Sequence, residues 1–209
     1  MNKANTDTYQ MRASITDFSL RRDGEDQHPV IEGYFSVFNS NYDMGYGMSE
    51  SIAPGAFANT LSGDIRALID HETRLVLGRT SAHTLELRED SHGLWGRIDV
   101  NPNDVDAMNL VARMERGDVN QCSFGFDIIK EDTEFGEDGS IHWTIRDVKL
   151  YEVSVVTFPA YEDTSVALRT AQRDQLLARK AEAWRTSMTE RLKKGEQSHV
   201  EGTDAQKED

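Results

Sequence analysis

The sequence predicts an α+β protein: mostly antiparallel strands in a closed or nearly closed β-barrel with peripheral helices, then a C-terminal helix and a disordered tail. Three observations predict it. Short stretches of alternating apolar and polar residues recur between turn signals from Ser14 to Pro159, as half-buried strands require. One stretch inside that span carries helix-start and helix-stop residues in the right order. Residues 171–194 lack glycine and proline, and their apolar residues recur three and four apart. Many strands with few helices fit an α+β core, and barrel closure is one way to remove exposed strand edges.

Taken in order, residues 1–13 are polar and expected to be loose. "SITDFSL" and "VIEGYFSVF" alternate as strands around the charged turn "RRDGEDQHP". Asn39 to Ala53 reads as a long loop rich in Gly, Asn and Ser. In "PGAFANTL", Pro54 is placed to open a short helix. "DIRALID", "RLVLGR", "TLELRED" and "GLWGRIDV" are four short strands. "NPNDVDAMNLVARMERGD" is the clearest helix of the body, with Asn103 as N-cap, acidic residues in the first turn and Gly117 after the last. The strand "QCSFGFDII", the acidic turn "EDTEFGEDGS" and the strand "IHWTIRDVKLYEVSVVTF" complete a domain over residues 14–169. Residues 170–194 form a helical arm with Leu177, Ala181, Trp184, Met188 and Leu192 on one stripe, and 195–209 form a disordered tail.

Composition excludes several classes. The net charge is −14, and all of the excess lies in residues 1–169, because eight basic and eight acidic residues cancel from Thr170 onward. Such a body repels nucleic acid phosphates, so no nucleic acid partner is expected. No run approaches the length of a membrane span, and "MNKANTDTYQ" lacks the apolar core of a secretory signal, so no membrane partner is expected either. One cysteine, Cys122, forbids an internal disulfide and fits a reducing cytosol.

Familiar chemical motifs are missing. There is no G-x-S-x-G elbow and no G-x-x-x-x-G-K-[ST] phosphate loop. The histidines at 28, 71, 83, 92, 142 and 199 lack metal-ligand spacing, and Leu75 stands where H-E-x-x-H would need its second histidine. No metal or cofactor is expected. Nucleophilic catalysis remains. In "QCSFGFDII", Cys122, Phe124, Phe126 and Ile128 share one face and Ser123 the other, beside the side-chain-free Gly125. That places Ser123 on an open face that could meet a substrate. A serine nucleophile needs a base, and the base needs an orienting group. His71, ending the apolar "ALID", is the candidate base. Glu152, interrupting the apolar "KLYEVSVVTF", is the candidate acid, since a carboxylate there is costly unless paired. A solvent-facing Glu152, or one paired with an arginine, is the alternative, and Asp70 and Asp127 are the next acids to consider. Cys122 as nucleophile is disfavoured, because alternation turns it to the core.

Four blocks carry a resemblance. "IAPGAF", then "ALIDHE" with "VLGR", then "CSFGF", then "YEVSVVTFPAY", in that order, resemble the prohead maturation proteases of tailed phages over about Ser14 to Arg169. That family is similar to the herpesvirus assemblins, serine proteases on a β-barrel with peripheral helices. The resemblance implies a Ser-His-acid triad of Ser123, His71 and Glu152, with Glu152 the least specific assignment. It also implies an endopeptidase, inside the assembling prohead in the host cytoplasm, that cleaves the scaffold segment of the major capsid protein and itself; the likeness to assemblins implies a dimer. A non-catalytic scaffolding or capsid-interaction protein, binding through the Leu177/Trp184/Met188 stripe, is the competing reading.

Overall fold

The computed structural model describes residues 9–14, 19–24, 28–158 and 163–204. The α+β expectation holds, with eleven strands and two α-helices among these residues. The barrel does not. The strands form two sheets, and no ladder joins one to the other among the described residues.

The larger sheet runs in the order β1 (Gln10–Ser14), β10 (Gln121–Phe135), β11 (Ile141–Val156), β5 (Met48–Ile52), β4 (Tyr42–Gly45). β11 is its organising strand. One edge pairs antiparallel with β10 around the turn at residues 136–140. The other edge is shared by two short strands, both parallel to it: β5 against Ile141–Ile145, and β6 (Arg66–Ile69) against Glu152–Val155. β7 (Glu72–Arg79) pairs with β6 beyond.

The segment "PGAFANTL" fills the gap between β5 and β6. It is a run of turns rather than the expected helix. Ala56 O accepts from Val148 N at 3.1 Å and Thr60 Oγ1 from Leu150 N at 3.0 Å. Amides of β11 that would otherwise lack a partner are thereby satisfied. This tertiary requirement outweighs the local helix-start signal of Pro54.

The smaller sheet is β2 (Ser19–Asp23), β3 (His28–Val37), β9 (Gly93–Asp99), β8 (Leu85–Glu89), antiparallel throughout. One buried cluster takes Ile31, Phe35, Leu94 and Ile98 from this sheet and Phe124, Phe126, Val153 and Val155 from the larger one. Phe57, from the run of turns, meets Phe124 edge-on at 5.5 Å between ring centres. Helix α1 (Val105–Glu115) adds Ala107, Leu110 and Val111, one face at helical spacing. Its N-cap is Asp104, one residue later than expected: Asp104 Oδ1 accepts from the amides of Asp106 and Ala107, while Asn103 instead closes a turn onto Asn101. Its end is a Schellman motif, with Asp118 N bonded to Arg113 O and Gly117 N to Met114 O, and Gly117 supplies the positive φ that this needs.

Two more expectations fail at the N-terminal side. Part of the segment expected to be loose forms β1, paired residue for residue with Cys122–Phe126. The expected loop at 39–53 holds β4 and β5, which its Gly and Ser content concealed. The strand expected at 14–20 falls partly on residues 15–18, and the end of the last resemblance block on 159–161, both outside the described residues.

The chain divides into two compact units, Met1–Ser165 and Val166–Asp209. Helix α2 (Asp163–Asp204), which begins at the end of the first and supplies most of the second, runs on past Gly195, where the disordered tail was expected to begin. Leu177, Trp184, Met188 and Leu192 of its stripe are exposed. No helix among the described residues is long and apolar enough to cross a membrane.

Candidate active site

The site is assembled on one face of the larger sheet. Opposed residues of an antiparallel pair point the same way, so Ser123 shares a face with Ser154, and Gly125 with Glu152. The β10–β11 register shifts immediately after Gly125, and the next pair is Phe126 with Leu150. The extra residue, Tyr151, makes a bulge beside the site. Bulges of this kind re-aim neighbouring side chains.

His71 arrives from the other edge. It lies in the two-residue hairpin turn between β6 and β7, past the strand end where it was expected, and Ile69 pairs with Glu72 across that turn. Asp70 and His71 both have positive φ, 48° and 60°. Such conformations cost about 1–2 kcal/mol per residue and persist only where surroundings enforce them. The enforcement is visible. Asp70 N donates to Val155 O at 3.0 Å, and the Asp70 carboxylate accepts from Thr157 N at 2.7 Å and Thr157 Oγ1 at 3.2 Å. Asp70 thus clamps the turn to the end of β11, and His71 is presented over the same face.

There, His71 Nδ1 meets Glu152 Oε1 at 2.7 Å. Both side chains are largely buried, at 15% and 6% exposure. Glu152 also accepts from Tyr9 OH at 2.8 Å through Oε1 and from Ser154 Oγ at 2.5 Å through Oε2. A histidine partner therefore offsets the cost of a carboxylate in an apolar strand. The carboxylate is buried rather than facing solvent, and no arginine is bonded to it among the described residues. Among the other candidates, Asp70 serves the turn and Asp127 accepts from Tyr151 OH at 2.5 Å, which raises the Tyr151 pKa.

Ser123 differs most from expectation. Its face is not open: the residue has no exposed surface, and Ser154 opposite it has none either. Ser123 Oγ donates to Arg12 O on β1 at 2.9 Å. It is not hydrogen-bonded to His71, whose Nε2 is buried without a partner among the described residues. The space above Gly125, expected for a substrate, is occupied from within. A Cβ there would lie 2.0 Å from Tyr9 OH and 2.3 Å from Glu152 Oε1. Cys122 faces the core, fully buried, with Sγ donating to Tyr34 O at 3.3 Å, as alternation predicts.

A second serine–histidine contact lies elsewhere. His142 uses Nδ1 on Ser49 Oγ at 2.8 Å and Nε2 on Ser51 Oγ at 2.9 Å. Both ring nitrogens are taken by serines, and no carboxylate is bonded to the ring to orient it as a base. No cluster of three His, Cys, Asp or Glu side chains that could hold a metal occurs among the described residues.

Sequence reasoning missed Tyr9, Arg12, Glu50 and Ser154. Ser154 had a signal, since it lies two residues beyond Glu152 in a strand and so on the same face. Glu50, a second buried carboxylate, is bonded bidentately by Arg12 of β1, with 3.0 Å between Arg12 Nη2 and Glu50 Oε2. Tyr9 and Arg12 lie in a polar stretch where no pattern marks them.

The family model for the caudovirus prohead serine proteases matches residues 16–179. The prohead protease of Enterobacteria phage HK97 is 34% identical over 158 residues, covering 74% of this chain and 66% of that protein. The chain thus spans slightly less than two thirds of that relative's length. Among solved structures, the bacteriophage T4 capsid assembly protease is similar with a TM-score of 0.46 and 10% identity, over 71% of this chain and 96% of that one. With the family model covering most of its length, this chain belongs to the caudovirus prohead serine protease family.

Proposed function

We propose that this protein is a serine endopeptidase of phage capsid maturation, with Ser123 as nucleophile, His71 as general base and Glu152 as the acid that orients it. The contact between His71 Nδ1 and Glu152 Oε1 at 2.7 Å carries the reading. It commits one ring nitrogen to a carboxylate and leaves Nε2, buried and without a partner among the described residues, for a proton from a hydroxyl. In the resting arrangement the Ser123 proton is held by Arg12 O. Reaction begins when Oγ turns from that carbonyl to His71 Nε2. Oγ then bonds the scissile carbonyl carbon as its proton passes to Nε2. The C–N bond breaks, and the amine leaves with that proton. Water, deprotonated by the same nitrogen, releases the acyl group and restores Ser123. Glu152 stabilises the imidazolium in both halves.

The substrates in this reading are the scaffold segment of the major capsid protein and the enzyme itself, inside the prohead as it assembles in the host cytoplasm. Self-cleavage releases the part of α2 beyond Arg169, whose exposed Leu177, Trp184, Met188 and Leu192 and basic side chains dock it on the scaffold. Residues 171–194 carry seven basic and three acidic side chains, against the acidic excess of the body. The exposed stripe also favours a second reading, a capsid-interaction protein without catalysis.

Co-expression with the coat protein and its scaffold segment separates the two. Intact mass should reveal a cleaved coat protein with wild type and an uncleaved one with Ser123→Ala. Equal cleavage by both would remove Ser123 from the mechanism; an uncleaved coat protein in both favours the non-catalytic reading.

A further inference from the structure

Among the described residues Glu152 accepts three hydrogen bonds, and only the one from His71 belongs to the proposed triad. The other two donors are built in. Ser154 has no exposed surface and sits between Val153 and Val155, which have none either. Its hydroxyl needs a partner there and finds one in Glu152 Oε2 at 2.5 Å, two residues back on the same face. Tyr9 comes from a distant part of the chain to Oε1 at 2.8 Å. Its ring leans on Tyr151, with 6.0 Å between centres. Gly125 makes this meeting possible, because any Cβ at that position would collide with both the tyrosine hydroxyl and Oε1.

A carboxylate with one oxygen bonded only to a histidine can still rotate about its last torsion. A donor on Oε2 stops that rotation and fixes where Oε1 points. A second donor on Oε1 leaves His71 one defined lone-pair direction. We infer that Ser154 and Tyr9 are positioning residues: two hydroxyls, one from β11 and one from the segment ahead of β1, lock the Glu152 carboxylate and so aim the His71 ring. Tyr9 lies outside the residues matched by the family model, so the N-terminal segment contributes to the site in this chain. The inference rests on the triad reading above and deepens it.

The test uses the full chain and a fluorophosphonate probe, whose phosphorus bonds Ser123 Oγ with loss of fluoride. It needs no knowledge of cleavage preference. The rate of labelling at Ser123, followed by intact mass across the acid-to-neutral range, is compared for wild type, Tyr9→Phe, Ser154→Ala and Ser154→Thr. The His71 Nδ1–H resonance is followed by NMR in the same proteins. Tyr9→Phe and Ser154→Ala should each label about tenfold more slowly or worse, as loss of an orienting partner typically causes. Ser154→Thr, which keeps the hydroxyl, should recover most of the rate. The His71 resonance should move in both slow variants. If Ser154→Ala does not fold, Tyr9→Phe decides, since its ring is retained and partly exposed. Wild-type rates with an unmoved resonance in Tyr9→Phe overturn the inference for Tyr9, and the same result in Ser154→Ala overturns it for Ser154. A wild type that never labels and leaves the coat protein uncleaved on co-expression overturns the peptidase reading instead, and the resonance alone then decides whether the two hydroxyls position the ring.

Discussion

Each polar side chain of the site is defined by what its atoms already bond, and the consequences can be measured one residue at a time. Glu152→Gln keeps the shape but removes the charge that stabilises an imidazolium. Cleavage of the coat protein should fall by about two to four orders of magnitude while the melting temperature changes little. Cleavage at the wild-type rate would shift the acid role elsewhere. Gly125→Ala adds one methyl group where 2.0 Å separates it from Tyr9 OH and 2.3 Å from Glu152 Oε1. It should cost more than its size implies, because it pushes Glu152 off His71 and Tyr9 off Glu152. We expect the peptidase to be lost with the fold retained, read by labelling at Ser123 beside circular dichroism. Cys122→Ser, by contrast, replaces a buried thiol on the core face and should leave substantial activity in whatever fraction folds.

Among the elements, β1 has the largest consequences. It pairs along Cys122–Phe126, contributes the carbonyl that holds Ser123, and carries Arg12 into the interior against Glu50. The two side chains are 5% and 2% exposed, so neither charge can be left alone cheaply. Arg12→Met should destabilise the body by about 3–5 kcal/mol in urea unfolding, because it removes one member of a buried ion pair. Arg12→Met with Glu50→Leu should recover most of that loss. If the double variant is as unstable as the single one, the ion pair is not what fastens β1. The hairpin of β6 and β7 is the other decisive element, because Asp70 ties its turn to Thr157 and thereby sets the height of His71 over β11.

At the scale of the molecule, the body and the C-terminal segment are separate compact units, and residues 171–194 of the helix are net basic where the body is acidic. Purified active enzyme should accumulate a shortened form ending after Arg169, and Ser123→Ala should stay full length, both visible by intact mass. A chain truncated at about residue 170 should keep its peptidase and lose incorporation into shells, scored by its presence in purified proheads. Unfolding of the truncated chain would make α2 part of the core and remove the idea of a detachable arm.

The sequence by itself determined the strand-rich α+β class, helix α1, the core face of Cys122, and His71, Ser123 and Glu152 as candidates. These follow from signals carried within a few residues: period-two alternation, helix-stop glycine, and a charge interrupting an apolar strand. Tertiary structure decided the rest. Two sheets rather than a barrel follow from β11 sharing one edge between β5 and β6, a choice made by residues far apart in the chain. "PGAFANTL" became turns because the gap between those strands needed its carbonyl and hydroxyl groups. Tyr9 and Arg12 gained their roles only when β1 paired with β10, since a polar stretch carries no periodicity that announces a partner over a hundred residues away. Ser123 is buried for the same reason: alternation assigns a face, but only the packing of distant segments decides whether that face meets solvent or protein.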